Sequence, residues 1–337
     1  SSFVTTWSDN GNCEGCRHAS DFDLAWAPMG ITRKTSADLV TLVRAIAEQE
    51  QESPRALFTI LAGAGLSVGA GMPSTSILVS TMSAQKRPLE KREGAGVWGE
   101  VLTQAAAGDT REDFTILDES TGEQFRFVFP GPQLDAAVLA RVTDLVGSLA
   151  PVPQYLVASG SLPRGAPEGS LADLARLAKR RGCRMVLDAS GPALRQALEA
   201  GVYLVKPNLR ELSELVGRRL DTEREWQDAA AVLVESGKAE VVALTLGHLG
   251  ALLATRRGVL RLPSIAIKMA SAVGAGDSFL GGIMAALVHG RGMTEAFRYG
   301  LAAASAAVQQ PGTALCTRED VERLVERVAP LDQTLAG

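Results

Sequence analysis

From about residue 150 onward, apolar and polar positions alternate between two rhythms. Short β-rich apolar runs, "QYLVASG" (154–160), "RMVLDASG" (184–191), "VYLVKPN" (202–208) and "EVVALTLG" (240–247), read as buried strands that exit into Gly, Asn or Ser. Between them lie "SLADLARLAKRRG" (170–182), "GPALRQALEAG" (191–201) and "DTEREWQDAAAVLVESG" (221–237). Their apolar residues stand three and four apart and Gly closes each run, as in amphipathic helices. A strand-like "GALLAT" (250–255) precedes "GAGDSFLGGIMAALVHG", and helical runs follow at 293–310 and 317–329. Strand and helix in alternation predict a parallel sheet covered by helices. In such sheets ligands bind beyond the carboxyl ends of the strands.

Upstream the rhythm changes. In "DFTILDESTGEQFRFVFPG" (113–131), Phe125, Phe127 and Phe129 alternate with Arg126 and Val128 after a polar "STGE" turn. This predicts a β-hairpin with one apolar face, a cover or a subunit contact beside the sheet. Farther back, "SADLVTLVRAIAEQEQ" (36–51) reads as an amphipathic helix opened by Ser36 and "ALFTIL" (56–61) as a strand. Residues 83–96, "SAQKRPLEKREGAG", read as an exposed charged connector. The organisation expected is a polar tail over 1–35, an α/β segment over 36–106 and a core over 107–330 with the hairpin as its lid.

Bulk properties narrow the partner class. The 337 residues are 46% hydrophobic, enough for one large α/β domain or two ordinary ones. A net charge of −4, with both signs interspersed, offers no attraction to nucleic acid or anionic membrane. No apolar run approaches bilayer length, and no secretory signal pattern opens the chain. A small soluble partner and a cytoplasmic location are expected. Four cysteines in a chain this long make no disulfide framework. Cys13, Cys16 and His18 in "NCEGCRH" have zinc-ligand chemistry but no second pair at finger-like spacing, so no metal site is expected there.

Two glycine-rich stretches compete for a phosphate. In "SAVGAGDSFLGGIMAALVHG" (271–290), Phe279, Ile283 and Leu287 mark one helix face, which places the free amides of Gly274, Ala275 and Gly276 at the helix N-terminus. Such amides hold anions. Asp277 lies in the first turn, where the helix dipole favours its ionised form. A carboxylate beside an anion site can take a proton from a hydroxyl that attacks a γ-phosphate. On the motif alone, a simple capping role for Asp277 weighs equally.

The other stretch is "LAGAGLSVGAGMPS" (61–74), whose apolar run and glycine turn are similar to the strand, turn and helix start of sirtuin-like NAD-binding domains. Fewer than about forty residues separate Pro73 from the hairpin, too few for the several βαβ units such a fold needs.

"VGAGDSFLGG" resembles the C-terminal signature of the ribokinase/PfkB carbohydrate kinases. "LVASGSLPRG", "VLDASG", "LVKPNLREL" and "VALTLGHLGA" resemble that family's other blocks in the same order, over about 107–325. The hairpin block resembles most closely the minor-isoenzyme type of 6-phosphofructokinase. The resemblance implies a ribokinase-like, doubly wound α/β fold with helices on both faces, and transfer of the ATP γ-phosphate to a sugar phosphate, fructose 6-phosphate foremost. It implies Asp277 as base and Gly274, Ala275 and Gly276 as the anion hole. Asn208 and Glu211 would organise Mg²⁺ through water, with Lys206 adding positive charge beside them. For these the alternative of a helix cap followed by a solvated glutamate stays open. Thr245, Gly247 and Gly250 match the nucleotide-binding turn, with His248 an exposed neighbour. Arg111 would clamp the sugar's own phosphate and Ser161 would line the sugar pocket.

The first third departs from the family pattern. No "GGxxxN" block occurs to grip the sugar; "LVRAIAEQ" and "ALFTILAGAG" echo only the helix and strand that flank it, and Asp23 is the nearest stand-in for the acidic residue. Two rival readings follow: a degenerate nucleotide-binding protein without a complete sugar site, and an NAD-handling module at the N-terminus. The apolar hairpin face further predicts a homodimer through the lid.

Overall fold

The computed structural model describes residues 133–310 and 316–328 in full, together with the backbone of seven strands between residues 31 and 128. In the first third these are β1 (Ile31–Arg33), β2 (Phe58–Gly63), β3 (Leu66–Met72), β4 (Thr75–Ser83), β5 (Glu100–Ala106), β6 (Asp113–Leu117) and β7 (Gln124–Val128). The rest of the chain supplies β8 (Tyr155–Ser159), β9 (Arg184–Asp188), β10 (Val202–Val205), β11 (Ala239–Thr245), β12 (Ala251–Thr255) and β13 (Gly258–Leu262). Its helices are α1 (Ala136–Ser148), α2 (Ser170–Arg181), α3 (Gly191–Ala200), α4 (Leu209–Val216), α5 (Glu223–Glu235), α6 (Ala275–Val288), α7 (Met293–Val308) and α8 (Arg318–Val325).

Ten strands form one sheet in the order β13-β12-β11-β10-β9-β8-β2-β3-β4-β5. From β2 through β11 neighbouring strands are parallel, as the alternating pattern predicts. The sheet becomes antiparallel beyond β11 and again at β2/β3 and β3/β4. Side chains divide between two cores by strand alternation. Leu156, Leu187, Val242 and Leu244 face one core with α1 to α5; Val157, Val186, Leu204 and Ala243 face the other with α6 to α8. Helices therefore cover both faces, the doubly wound arrangement expected.

The hairpin is present: β6 and β7 pair antiparallel from Asp113↔Val128 to Leu117↔Gln124. A third strand, β1, joins it through Ile31↔Ile116, so the end of the 1–35 segment, expected as a polar tail, builds part of this three-stranded sheet.

The glycine stretch at 61–74 differs from expectation. In place of strand, turn and helix it forms the end of β2 and all of β3, paired through Ala62↔Ser67 and Gly63↔Leu66. Gly69 and Gly71 disfavour a helix, whereas β4 satisfies the β3 backbone along its whole length. A phosphate site on a helix N-terminus therefore does not exist over Leu66–Met72, which removes the structural basis of the NAD-handling reading. The helix expected over 36–51, the connector beyond Ser83, Cys13, Cys16, His18, Asp23 and Arg111 lie outside the described residues.

Candidate active site

Most of the described sequence-predicted site residues follow the carboxyl ends of the parallel strands. Register fixes the level: Ser159 of β8 lies beside Asp188 of β9, and Leu187 beside Val205 of β10. Gly160 N–H donates to Asp188 O at 2.7 Å, and Lys206 N–H donates to Leu187 O at 2.9 Å. Ser161, Asp188 and Lys206 thus leave three adjacent strands at one edge. Asn208 is bridged to Thr245 of β11, whose N–H donates to Pro207 O at 3.0 Å.

The N-terminus of α6 meets this edge at Lys206. Gly274 is its N-cap, at φ 79° and ψ 3°. That left-handed conformation is open to glycine at little cost and strained for other residues. Ala275, Gly276 and Asp277 form the first turn, all partly accessible, before the helix is buried without interruption from Ser278 to Leu287. A helix buried on every side is locked in place, and its free N-terminal amides are aimed by the packing of Phe279 and Ile283 rather than by local sequence.

Lys206 is 6% exposed, a depth lysine reaches only with a partner. Its Nζ lies 3.1 Å from Asp188 Oδ1, and the two side chains are 7% and 17% exposed. Burial pulls the ammonium downward, but Asp188 first, then Asp277 and Glu211, outweigh it and hold Lys206 above its ordinary range. Asp188 moves the same way for the opposite reason. Burial pushes its carboxyl up to about 6 despite Lys206, with Asp277 and Glu211 adding repulsion. A Cβ built on Gly276 would stand 3.4 Å from Lys206 Nζ, so the ammonium lies directly against the glycine turn. Asp188, Lys206, Glu211, Gly276 and Asp277 are one electrostatic cluster.

Asn208 and Glu211 form a helix cap, the alternative left open by the sequence. Glu211 N–H donates to Asn208 Oδ1 and Asn208 N–H donates to Glu211 Oε2, both at 2.9 Å, a reciprocal capping box at the start of α4. The cap occupies one carboxylate oxygen of Glu211. The other faces Arg210 at 3.9 Å.

The nucleotide-turn glycines play different parts. At Gly247 a side chain would meet nothing within 4 Å, whereas a Cβ at Gly250 would collide with Leu262 O and the backbone of Pro263 and Ser264. Gly250 is required by the protein's own close approach, Gly247 by none. His248 is exposed, as expected. The turn is organised by Arg261, absent from the sequence reading, whose guanidinium donates to Leu249 O, Ala251 O and Leu262 O.

Asp188 is the other residue the sequence reading missed. Its block "VLDASG" carries no local sign of chemistry; the sign is its contact with Lys206, which arises only when β9 and β10 pair. Ser161 is exposed at the edge. No three His, Cys, Asp or Glu among the described residues are grouped to hold a metal by themselves, and no described helix is long and apolar enough to cross a membrane.

Comparison with known proteins shows the family. Residues 102–320, more than half of the chain, match the family model described as pfkB family carbohydrate kinase. ATP-dependent 6-phosphofructokinase isozyme 2 of Mycobacterium tuberculosis is 42% identical over 235 residues, covering 70% of this chain and 68% of that one. The 1-phosphofructokinase of Haloferax volcanii is 34% identical over 232 residues, covering 69% and 72%. Phosphofructokinase-2 from Escherichia coli, solved with substrates and products, superposes with a TM-score of 0.67 at 31% identity over 81% of this chain and 97% of that one. A ribokinase-like sheet with helices on both faces and a glycine-aspartate turn over its carboxyl edge thus places this chain in the pfkB family of carbohydrate kinases, as a sugar-phosphate kinase.

Proposed function

We propose that the chain transfers the γ-phosphoryl group of ATP to the 1-hydroxyl of fructose 6-phosphate. The observation that carries this reading is the convergence of Lys206, Gly276 and Asp277 at the α6 N-terminus. The free amides of Gly274, Ala275 and Gly276 and the Lys206 ammonium would stabilise the equatorial oxygens of the transferring group, and the Asp277 carboxylate would accept the hydroxyl proton. Thr245 and the open turn at Gly247 would receive the nucleotide. Ser161 would face the sugar, and Arg111 is assigned to its existing phosphate. The choice of fructose 6-phosphate over fructose 1-phosphate rests on the hairpin block and on the greater identity to the 6-phosphofructokinase relative.

The donor set suits Mg²⁺, which takes oxygen ligands and keeps several waters. Asn208 and the Glu211 oxygen outside the cap would hold it through water. When bound it supplies charge neutralisation between the phosphates.

A coupled ADP-release assay with fructose 6-phosphate, fructose 1-phosphate and tagatose 6-phosphate tests the reading. Turnover greatest with fructose 6-phosphate supports it. ATP binding without turnover on any sugar phosphate favours the degenerate alternative, which the missing "GGxxxN" block motivates.

The lid enters this reading as a dimer contact. Strands β1 and β7 are the outer strands of their three-stranded sheet, which is separate from the main sheet. A second copy pairing there would bury them.

A further inference from the structure

Lysine has four rotatable methylenes and loses about 2 kcal/mol of rotamer freedom when fixed, so a buried lysine that acts on a ligand needs something to hold it. Lys206 is the one lysine in the buried set of the described residues. Its position is unfavourable on its own account, because the ammonium abuts Gly276 at the positive end of α6. A carboxylate has to offset that repulsion while no phosphate is present. Asp188 supplies it at 3.1 Å. Lys206 is also the one ion pair Asp188 makes among the described residues. Both backbones are fixed by the sheet, through Gly160 to Asp188 O and Lys206 to Leu187 O. Resting on the kinase reading above, we propose that Asp188 is a positioning residue: it holds the Lys206 ammonium against the Gly274–Asp277 turn and acts on phosphoryl transfer through that lysine.

The rival role for a buried carboxylate at this edge is direct work on the metal or the nucleophile. The two roles differ in additivity. A residue that acts only through Lys206 has nothing left to contribute once Lys206 is gone. The test is a cycle of wild type, Asp188→Asn, Lys206→Met and the double variant, with kcat and both KM values measured. Asparagine is chosen because it leaves no uncompensated buried carboxylate, and thermal melts verify that each variant is folded. We expect Lys206→Met to lower kcat by about 10²–10³ and Asp188→Asn by about 10–10², the partial loss that fits a lysine left in place but no longer held. The double variant should fall within about threefold of Lys206→Met alone. A double loss equal to the product of the single losses overturns the proposal, as does an Asp188→Asn enzyme with wild-type kcat. Should wild type turn over no sugar phosphate, the functional reading fails separately. The same cycle is then read in the Kd for ATP, where non-additivity supports the positioning role and additivity overturns it.

Discussion

Burial moves Asp188 and Lys206 in ways that a pH series can separate. The folded value of about 6 for Asp188 exceeds its unfolded value, so folding favours the neutral carboxyl. The associated stability is complete below about pH 4 and is lost as pH rises through about 6. Asparagine mimics the neutral form at every pH. The Tm of Asp188→Asn relative to wild type should therefore be more favourable at pH 8 than at pH 4.5, and a pH-independent difference would argue against the raised value. Asn208 combines two jobs that a substitution can split. Asn208→Ser puts a hydroxyl oxygen in place of the amide oxygen that accepts from the Glu211 N–H and should leave Tm unchanged. If the amide also orders water around Mg²⁺, the metal concentration for half-maximal rate should rise by about 10–100-fold. An unchanged metal requirement would make Asn208 a cap alone. At this scale Asp277 stood out through its glycine turn, whereas Lys206, Asn208 and Glu211 were singled out only through the family resemblance. Asp188 and Arg261 were not, because their partners are brought in by strand pairing.

Packing between helices decides where the Gly274–Asp277 turn points. Gly282 and Gly300 let α6 and α7 approach closely: a Cβ on Gly300 would stand 2.6 Å from Ile283 Cγ1 and 2.7 Å from Phe279 O. Phe279 and Phe297 lock the same contact edge to face, with ring centroids 5.6 Å apart. Gly300→Ala should cost about 1–3 kcal/mol in chemical denaturation, by overpacking. Because α6 carries Asp277, kcat should fall with it; a variant of wild-type stability would show that the helices can separate freely. Periodicity found α2, α3, α5 and α7 to within a few residues, since each has one apolar stripe. It misread Leu66–Met72, where a strand of small residues between two antiparallel neighbours resembles a phosphate turn until its partners are known.

At the scale of the whole molecule, the described residues bring the carboxyl-edge charges of the parallel strands to the N-terminus of one buried helix, and β1, β6 and β7 form a separate three-stranded sheet. Fold class was readable because alternation of strand and helix repeats along the chain, whereas the edges of the sheet depend on pairings between distant segments. If the lid sheet is the contact between copies, equilibrium sedimentation should give a dimer, and a proline at Thr115 or Arg126, which removes a ladder hydrogen bond, should shift it to monomer. An unchanged mass would place any contact elsewhere. Phosphoryl transfer as proposed depends most on one residue, Asp277, as the base beside the glycine turn. ADP release with fructose 6-phosphate, measured on wild type and on Asp277→Asn, tests it most directly. The account predicts turnover by wild type and a loss of about 10²–10⁴ in kcat for the variant with little change in the KM for ATP; equal rates for the two proteins would contradict it.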